Sequence, residues 1–387
     1  MQVFQHLIHF FKNRQARAIA APFFLFGLLY GTWATMIPFV KEKFALDDRQ
    51  LGLLLLCLPM GALFYNPTAA RLIQRFGMER ITIASMFVLI ILSITWLMVP
   101  WLLMLVLVLL ATGMGNTQLN IAMNLCASHI ENVTRANIMA TCHGMFSLGL
   151  MSGALFTSTS VGMGLSPVDH MLVNAVIGVI LSILVVRTIH GLKADDIGKS
   201  EEKFKLRFPK GALAVMVGIS LCTNLTEGSM IDWASVYMKE IVKAPTIYIG
   251  WGLASFSILM ATGRFFGDYF IPKWGNNSVL FFGGLVVALG LSVVILFPTT
   301  PMAILGFALG GGGISCAAPI LYSAAAKNKD VPQGLGLAIL NSFSIFGFLV
   351  GPVVIGFISE ATSLKFSFAL VVALALVWMY LTSKVKL

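Results

Sequence analysis

Apolar runs of about twenty residues, divided by short polar stretches, recur from one end of the chain to the other. A helix rising 1.5 Å per residue needs about 20 such residues to cross a hydrocarbon core of roughly 30 Å. The runs are continuous, without the alternation and the ~10-residue length of transmembrane β-strands. They predict twelve helices near 18–40, 50–70, 81–99, 101–125, 138–163, 167–187, 212–238, 246–270, 278–297, 302–325, 335–359 and 365–383. One long polar connection interrupts the series at 188–211, where Lys193, Asp195, Asp196, Lys199, Glu201, Glu202 and Lys203 cluster. The expected organisation is an N-terminal six-helix half over 1–187, a linker over 188–211 and a C-terminal six-helix half over 212–387. The expected fold class is an all-α polytopic membrane protein.

Composition closes off other classes. The chain of 387 residues is 58% hydrophobic and 11% charged. A soluble domain is roughly 45–50% apolar and about 25% charged. Twelve spans would take about 240 residues and leave no room for a large soluble domain. The net charge of +10 follows topology: with both termini on the cytoplasmic side, 20 of the 26 Lys and Arg fall on the inner side. That bias is the positive-inside pattern, and it needs no nucleic-acid partner. The five cysteines (Cys57, Cys126, Cys142, Cys222 and Cys316) are scattered through apolar runs, so neither a disulfide framework nor a metal site is expected. The basic cluster Lys12, Arg14 and Arg17 lies between a short apolar N-terminus and a long first span, so the N-terminus is expected to be retained.

The two halves repeat. His143, Gly149 and Gly153 of span 5 lie 198 residues before Asn341, Gly347 and Gly351 of span 11. The same offset of 198 carries Gly113 of span 4 onto Gly311 of span 10. Trp33-Ala34-Thr35 of span 1 and Trp233-Ala234-Ser235 of span 7 are offset by 200.

This 6+6 parallel repeat, the basic loop Arg71–Arg80 after span 2 and the GRFFGD string after span 8 resemble the major facilitator superfamily. HGMFSLG (His143–Gly149) and EGSMIDW (Glu227–Trp233) resemble its YbjJ-like, fucose-permease-related branch. The resemblance implies alternating access around a central site, coupled to protons. The chain departs from the pattern twice. Gln74 stands where the loop after span 2 usually carries Asp, and span 4 offers Gln118, Asn120 and Asn124 where relatives often carry an acid.

Charge inside the apolar runs is the sharpest pointer to chemistry, because a charged side chain at the bilayer centre costs at least about 2.5–3.5 kcal/mol. Of sixteen acids, most fall at loops or helix ends, and only Glu227 and Asp232 fall well inside a predicted span, both in span 7. Glu227 is the first candidate for proton coupling; a structural acid bonding to backbone near Gly228 is the alternative. Asp232 reads as an outer gate or a helix-end group, and as a second coupling candidate. His143 is the one histidine expected deep in a span, as a proton shuttle or an interhelical hydrogen-bond donor. Asn116, Asn120 and Asn124 follow i, i+4, i+8 and form one polar stripe on a helix; with Gln118 in the same span they suit a polar solute, or interhelical contact as the alternative. Tyr30, Trp33, Trp233 and Asn341 complete the candidate solute-binding set. Arg264 and Asp268, at i, i+4, are expected as an inner gate together with Arg75.

The expected function is a gradient-driven transporter of a small polar, sugar-like solute in the cytoplasmic (inner) membrane, with drug or metabolite efflux as the alternative. No ATP-binding or catalytic motif stands out, and the four-glycine run Gly310–Gly313 lacks the Lys-Ser/Thr of a phosphate loop. No cofactor is expected. The expected partners are the solute, protons and lipid, for a chain acting as a monomer without nucleic acid.

Overall fold

The computed structural model of the chain describes residues 14–134, 138–189, 208–328, 331–332 and 335–387. Most of the polar connection foreseen at 188–211, residues 190–207, lies outside them. Among the described residues the regular structure is entirely helical: α1 (Arg14–Lys43), α2 (Asp48–Leu55), α3 (Cys57–Phe76), α4 (Met78–Thr95), α5 (Leu102–Thr134), α6 (Met139–Gly162), α7 (Pro167–Ile189), α8 (Gly211–Glu240), α9 (Trp251–Trp274), α10 (Asn276–Leu296), α11 (Thr300–Ile314), α12 (Ala317–Ala326), α13 (Leu335–Ala361) and α14 (Leu364–Thr382), with one turn of 3₁₀-helix at Thr246–Tyr248.

Among the described residues, ten spans are long and apolar enough to cross a membrane, and Asp48–Phe76, bent by 57° between Asn66 and Thr68, makes an eleventh if taken as one span. The remaining predicted span is α6. Its 24 residues run over Met139–Gly162. Span 10 is split at Ser315-Cys316 into α11 and α12.

Chain contacts divide into two compact units, Met1–Ala45 with Leu54–Lys199, and Leu46–Leu53 with Ser200–Leu387. The first unit packs α1 on α6 and α7, α3 on α5, and α4 on α5 and α7. The second packs α8 on α13 and α14, α9 on α11, and α10 on α11 and α14. Span for span, these pairings are the same. The short α2 groups with the second unit, where the Asp48 carboxylate accepts from the Ser359 hydroxyl and the Asp48 N–H donates to Glu360 at 3.1 Å.

The repeat reaches down to single atoms. Gly77 ends α3 at φ +87° and Gly275 ends α9 at φ +79°, and each donates its N–H to the residue four before it, Ile73 and Ile271, at 2.8 Å. A left-handed residue at a helix end favours glycine, which has no Cβ to clash. The turn of the second half is therefore at Gly275. GRFFGD (Gly263–Asp268) lies inside α9, because nothing in that string halts the helix.

Each unit has an aromatic core. In the first, Trp33 meets Trp96 edge-on at 5.2 Å, Trp96 donates to Thr112 at 3.2 Å, and Asn174 of α7 donates to Thr32 of α1 at 2.7 Å. In the second, Tyr237 stacks on Phe368 at 4.7 Å with Phe307 edge-on, and its hydroxyl donates to the Val294 carbonyl at 2.9 Å. That hydroxyl satisfies an otherwise orphaned buried polar group, so the ring can lie wholly inside the helix packing.

Candidate functional site

The second unit carries the acids. Glu227 lies sixteen residues into α8, about 24 Å along a helix of about 45 Å, which is mid-depth. Opposite it on α9 is Arg264. One guanidinium nitrogen, Nη2, lies 3.3 Å from Glu227 Oε1, with side-chain exposures of 19% and 15%. Charge-assisted N–H···O bonds are commonly about 2.7–2.9 Å. At 3.3 Å the pair is formed, at the long end of the hydrogen-bond range. Arg264 is ten residues from the end of α9, about 15 Å inside it. It sits deeper than the sequence reading placed it, because the helix runs on to Trp274. The side chain of Asp268 lies outside the described residues. Tyr322 of α12 stands within electrostatic reach of Glu227.

Below Glu227 the α8–α13 seam is polar and closed. Asn224 donates to the Ser344 carbonyl at 3.0 Å, and the hydroxyls of Ser220 and Ser344 bond to each other. Asn341, one turn before Ser344, is exposed.

Asp232 is different. It is 7% exposed, and among the described residues it makes no hydrogen bond or ion pair. It lies eight residues inside α8, away from a helix end. Ser229, Trp233 and Ser235 beside it also have buried polar atoms with no partner among the described residues. The equivalent atoms of the first unit, on Trp33 and Thr35, are likewise unpartnered. Where the first unit has Thr32, bonded to Asn174, the second has Asp232, with no counterpart to that amide. An unpaired buried carboxyl opposes folding. Asp232→Asn is therefore expected to hold or raise the thermal-unfolding midpoint of the purified protein, whereas Glu227→Gln, which replaces a charge-assisted bond to Arg264 by a neutral one, is expected to lower it slightly.

The first unit gathers Tyr30, Trp33 and Asn116 around a cavity of about 10 Å³, close to the room one water needs. Trp33 is 1% exposed, so its face is covered in this conformation. Gln118 is buried, and its amide reaches the Ala69 carbonyl at 3.5 Å while its Oε1 has no partner among the described residues. Asn120 is exposed, and Asn124 donates to its backbone and side-chain oxygens at 2.8 Å, so these two amides bond to each other. His143 is exposed, with its ring edge-on to Phe23 at 5.4 Å. Among the described residues the fully buried histidine is His170 of α7, whose ring nitrogens meet the hydroxyls of Thr157 at 2.9 Å and Ser160 at 2.7 Å. It lies in the first turn of predicted span 167–187, so it does not count among the residues deep in a span. Arg75 is exposed at the end of α3, over the Phe76 ring at 5.2 Å.

Comparison with known proteins covers the whole chain. The profile of the Major Facilitator Superfamily matches residues 19–241 and 217–385. An MFS-type transporter of Yersinia pestis is 32% identical over 356 residues, covering 92% of this chain and 91% of the relative. The transporter y4wD of Sinorhizobium fredii is 30% identical, covering 92% and 94%. The membrane protein MosC of Rhizobium meliloti is 28% identical, covering 95% and 89%. Among solved structures, a variant of the nucleoside transporter NupG superposes with a TM-score of 0.76 at 14% identity, covering 97% of this chain and 100% of that one. A bacterial homologue of the lysosomal transporter Spinster, inward-facing and occupied, superposes with a TM-score of 0.69 at 13% identity, covering 95% of each.

Proposed function

The chain belongs to the major facilitator superfamily, and from that premise we propose that it is a proton-coupled transporter of a small, polar, sugar-like solute, working by alternating access. It is an integral membrane transporter and not an enzyme. The strings HGMFSLG and EGSMIDW support placing it in the YbjJ-like, fucose-permease-related branch. The Lys and Arg distribution supports a cytoplasmic-membrane location with both termini inside.

The Glu227–Arg264 pair carries this reading. An acid and a base held half-buried at mid-depth form an element with two states. Ionised, Glu227 occupies the guanidinium of Arg264. Protonated, it releases that group, whose planar fork of donors then binds hydroxyl or carbonyl oxygens of the solute. The bound proton and the bound solute thereby favour the same state, which is the requirement for coupling. The amides of Asn116, Gln118, Asn120 and Asn124 supply donors and acceptors without charge and suit an uncharged solute.

The test is uptake into proteoliposomes of a panel of sugars and nucleosides, with and without an imposed pH gradient. The reading expects one class of solute to accumulate against its gradient when the outside is acidified, and the interior to acidify as protons enter with it. Accumulation indifferent to the pH gradient would remove the proton. Net extrusion of amphipathic compounds would favour the efflux reading.

A further inference from the structure

In the second unit a cleft of about 750 Å³ opens among α9, α10 and α11. Gly263, Gly283, Gly312 and Gly313 line it, and their backbone forms part of its wall: a Cβ at Gly263, Gly283 or Gly313 would collide with Ser315, Gly313 or Gly283, so these positions are glycine because the helices approach closely there. Its deep end also includes Ser315 and Cys316, but their polar atoms are spent internally. The Ser315 hydroxyl donates to the Gly312 carbonyl at 2.7 Å, and the Cys316 thiol donates to the Gly263 carbonyl at 3.5 Å. A ligand reaching that end meets an effectively apolar surface. The mouth differs. Phe270 and Trp274 stack there at 4.8 Å, and Lys273 is the one charged residue of the lining among the described residues. Lys273 is exposed, and its ammonium lies 5.7 Å from the Tyr269 ring, a contact that leaves N–H donors for an anion.

From Gly263 to Lys273 the helix rises about 15 Å, half of a hydrocarbon core of roughly 30 Å. The cleft therefore has the depth of one leaflet, a cation and an interfacial tryptophan at the surface end, and an apolar slot inward. We propose that it is a binding site for an anionic phospholipid, with the phosphate at Lys273 and one acyl chain against the glycine wall. The complementarity is to a whole amphiphile of one leaflet: an inorganic anion would leave the slot unfilled, and a zwitterionic lipid would gain less from the lysine.

The full-length protein, purified with a mixture of phosphatidylglycerol and phosphatidylcholine, is examined by native mass spectrometry for retained lipid. The wild type is expected to retain phosphatidylglycerol preferentially. Lys273→Gln is expected to cut that preference about fivefold, the effect of one lysine at a membrane surface. Val286→Trp, filling the slot, is expected to lower retention of both lipids; if that variant does not fold, Ser278→Trp at the mouth makes the same test. An unchanged preference in Lys273→Gln, or wild-type retention in the slot-filling variant, overturns the proposal.

Discussion

Glu227→Gln is expected to abolish pH-driven accumulation of solute while leaving downhill exchange of labelled for unlabelled solute at the same order of magnitude. The amide keeps the shape of the carboxyl and can still accept from Arg264, but it neither gains nor loses a proton. If the Glu227–Arg264 pair is the element that senses the proton, the accumulation ratio should fall roughly 5–150-fold, the span of a coupling energy of about 1–3 kcal/mol. Exchange needs only the solute-loaded states, and those survive. Arg264→Gln should behave differently: it removes the donors, so exchange falls as well, with a raised KM. The discriminating measurement is the pair of assays on each variant, accumulation under an imposed gradient and counterflow without one. Equal loss of both in Glu227→Gln would make the residue structural. Accumulation intact in Glu227→Gln would move the proton site elsewhere, and Asp232 would be examined next: it is the other buried acid of α8, and among the described residues it has no partner.

The sequence carried this acid but not its partner. An ionisable residue in an apolar run stands out by composition alone, so Glu227 and Asp232 were legible. Arg264 was visible too, but helix spacing points only along one helix, and there it suggested Asp268 at i+4. That α9 crosses α8 with Arg264 level with Glu227 is tertiary information. It depends on where α9 stops, and the stop is set by the left-handed turn at Gly275, seven residues beyond Asp268. His143 and His170 show the same limit. Hydropathy places a residue in depth but not around the helix axis. It therefore could not show that His143 is exposed while His170, near a span end, is closed in by Thr157 and Ser160. The span 4 amides form a stripe by their spacing alone, yet a stripe does not reveal that Asn120 and Asn124 bond to each other. The repeat was the most legible feature, because close packing of helices constrains residue size at fixed positions whatever the solute.

That constraint gives the largest expected effect on folding, and it lies within the glycine run of span 10. Gly311→Ala is expected to lower the thermal-unfolding midpoint and the yield of folded protein sharply, whereas Gly310→Ala and Gly312→Ala, its immediate neighbours, are expected to be neutral or mildly stabilising. A Cβ at Gly311 would collide with the backbone carbonyl of Phe256 on α9, with the carbonyl carbon 2.7 Å away, and backbone inside a helix cannot swing aside as a side chain can. A Cβ at Gly310 or Gly312 would meet its nearest atom, on Phe256 or Leu259, at 3.8 or 3.7 Å, which is ordinary contact. Alanine is favoured over glycine inside a helix by up to about 1 kcal/mol, so with no clash the substitution should help. Overpacking costs about 1–3 kcal/mol, and more where backbone must move, so at Gly311 the clash outweighs that gain. Gly113 provides an independent check. It sits 198 residues earlier, and a Cβ there would collide with the Leu58 carbonyl on α3 in the same way. Gly113→Ala should therefore destabilise as Gly311→Ala does, by the same α3–α5 contact that α9–α11 repeats. Were Gly310→Ala and Gly311→Ala to melt together, the run would be serving flexibility at the Ser315-Cys316 break rather than close approach, and the structural reading of the repeat would be wrong at this point.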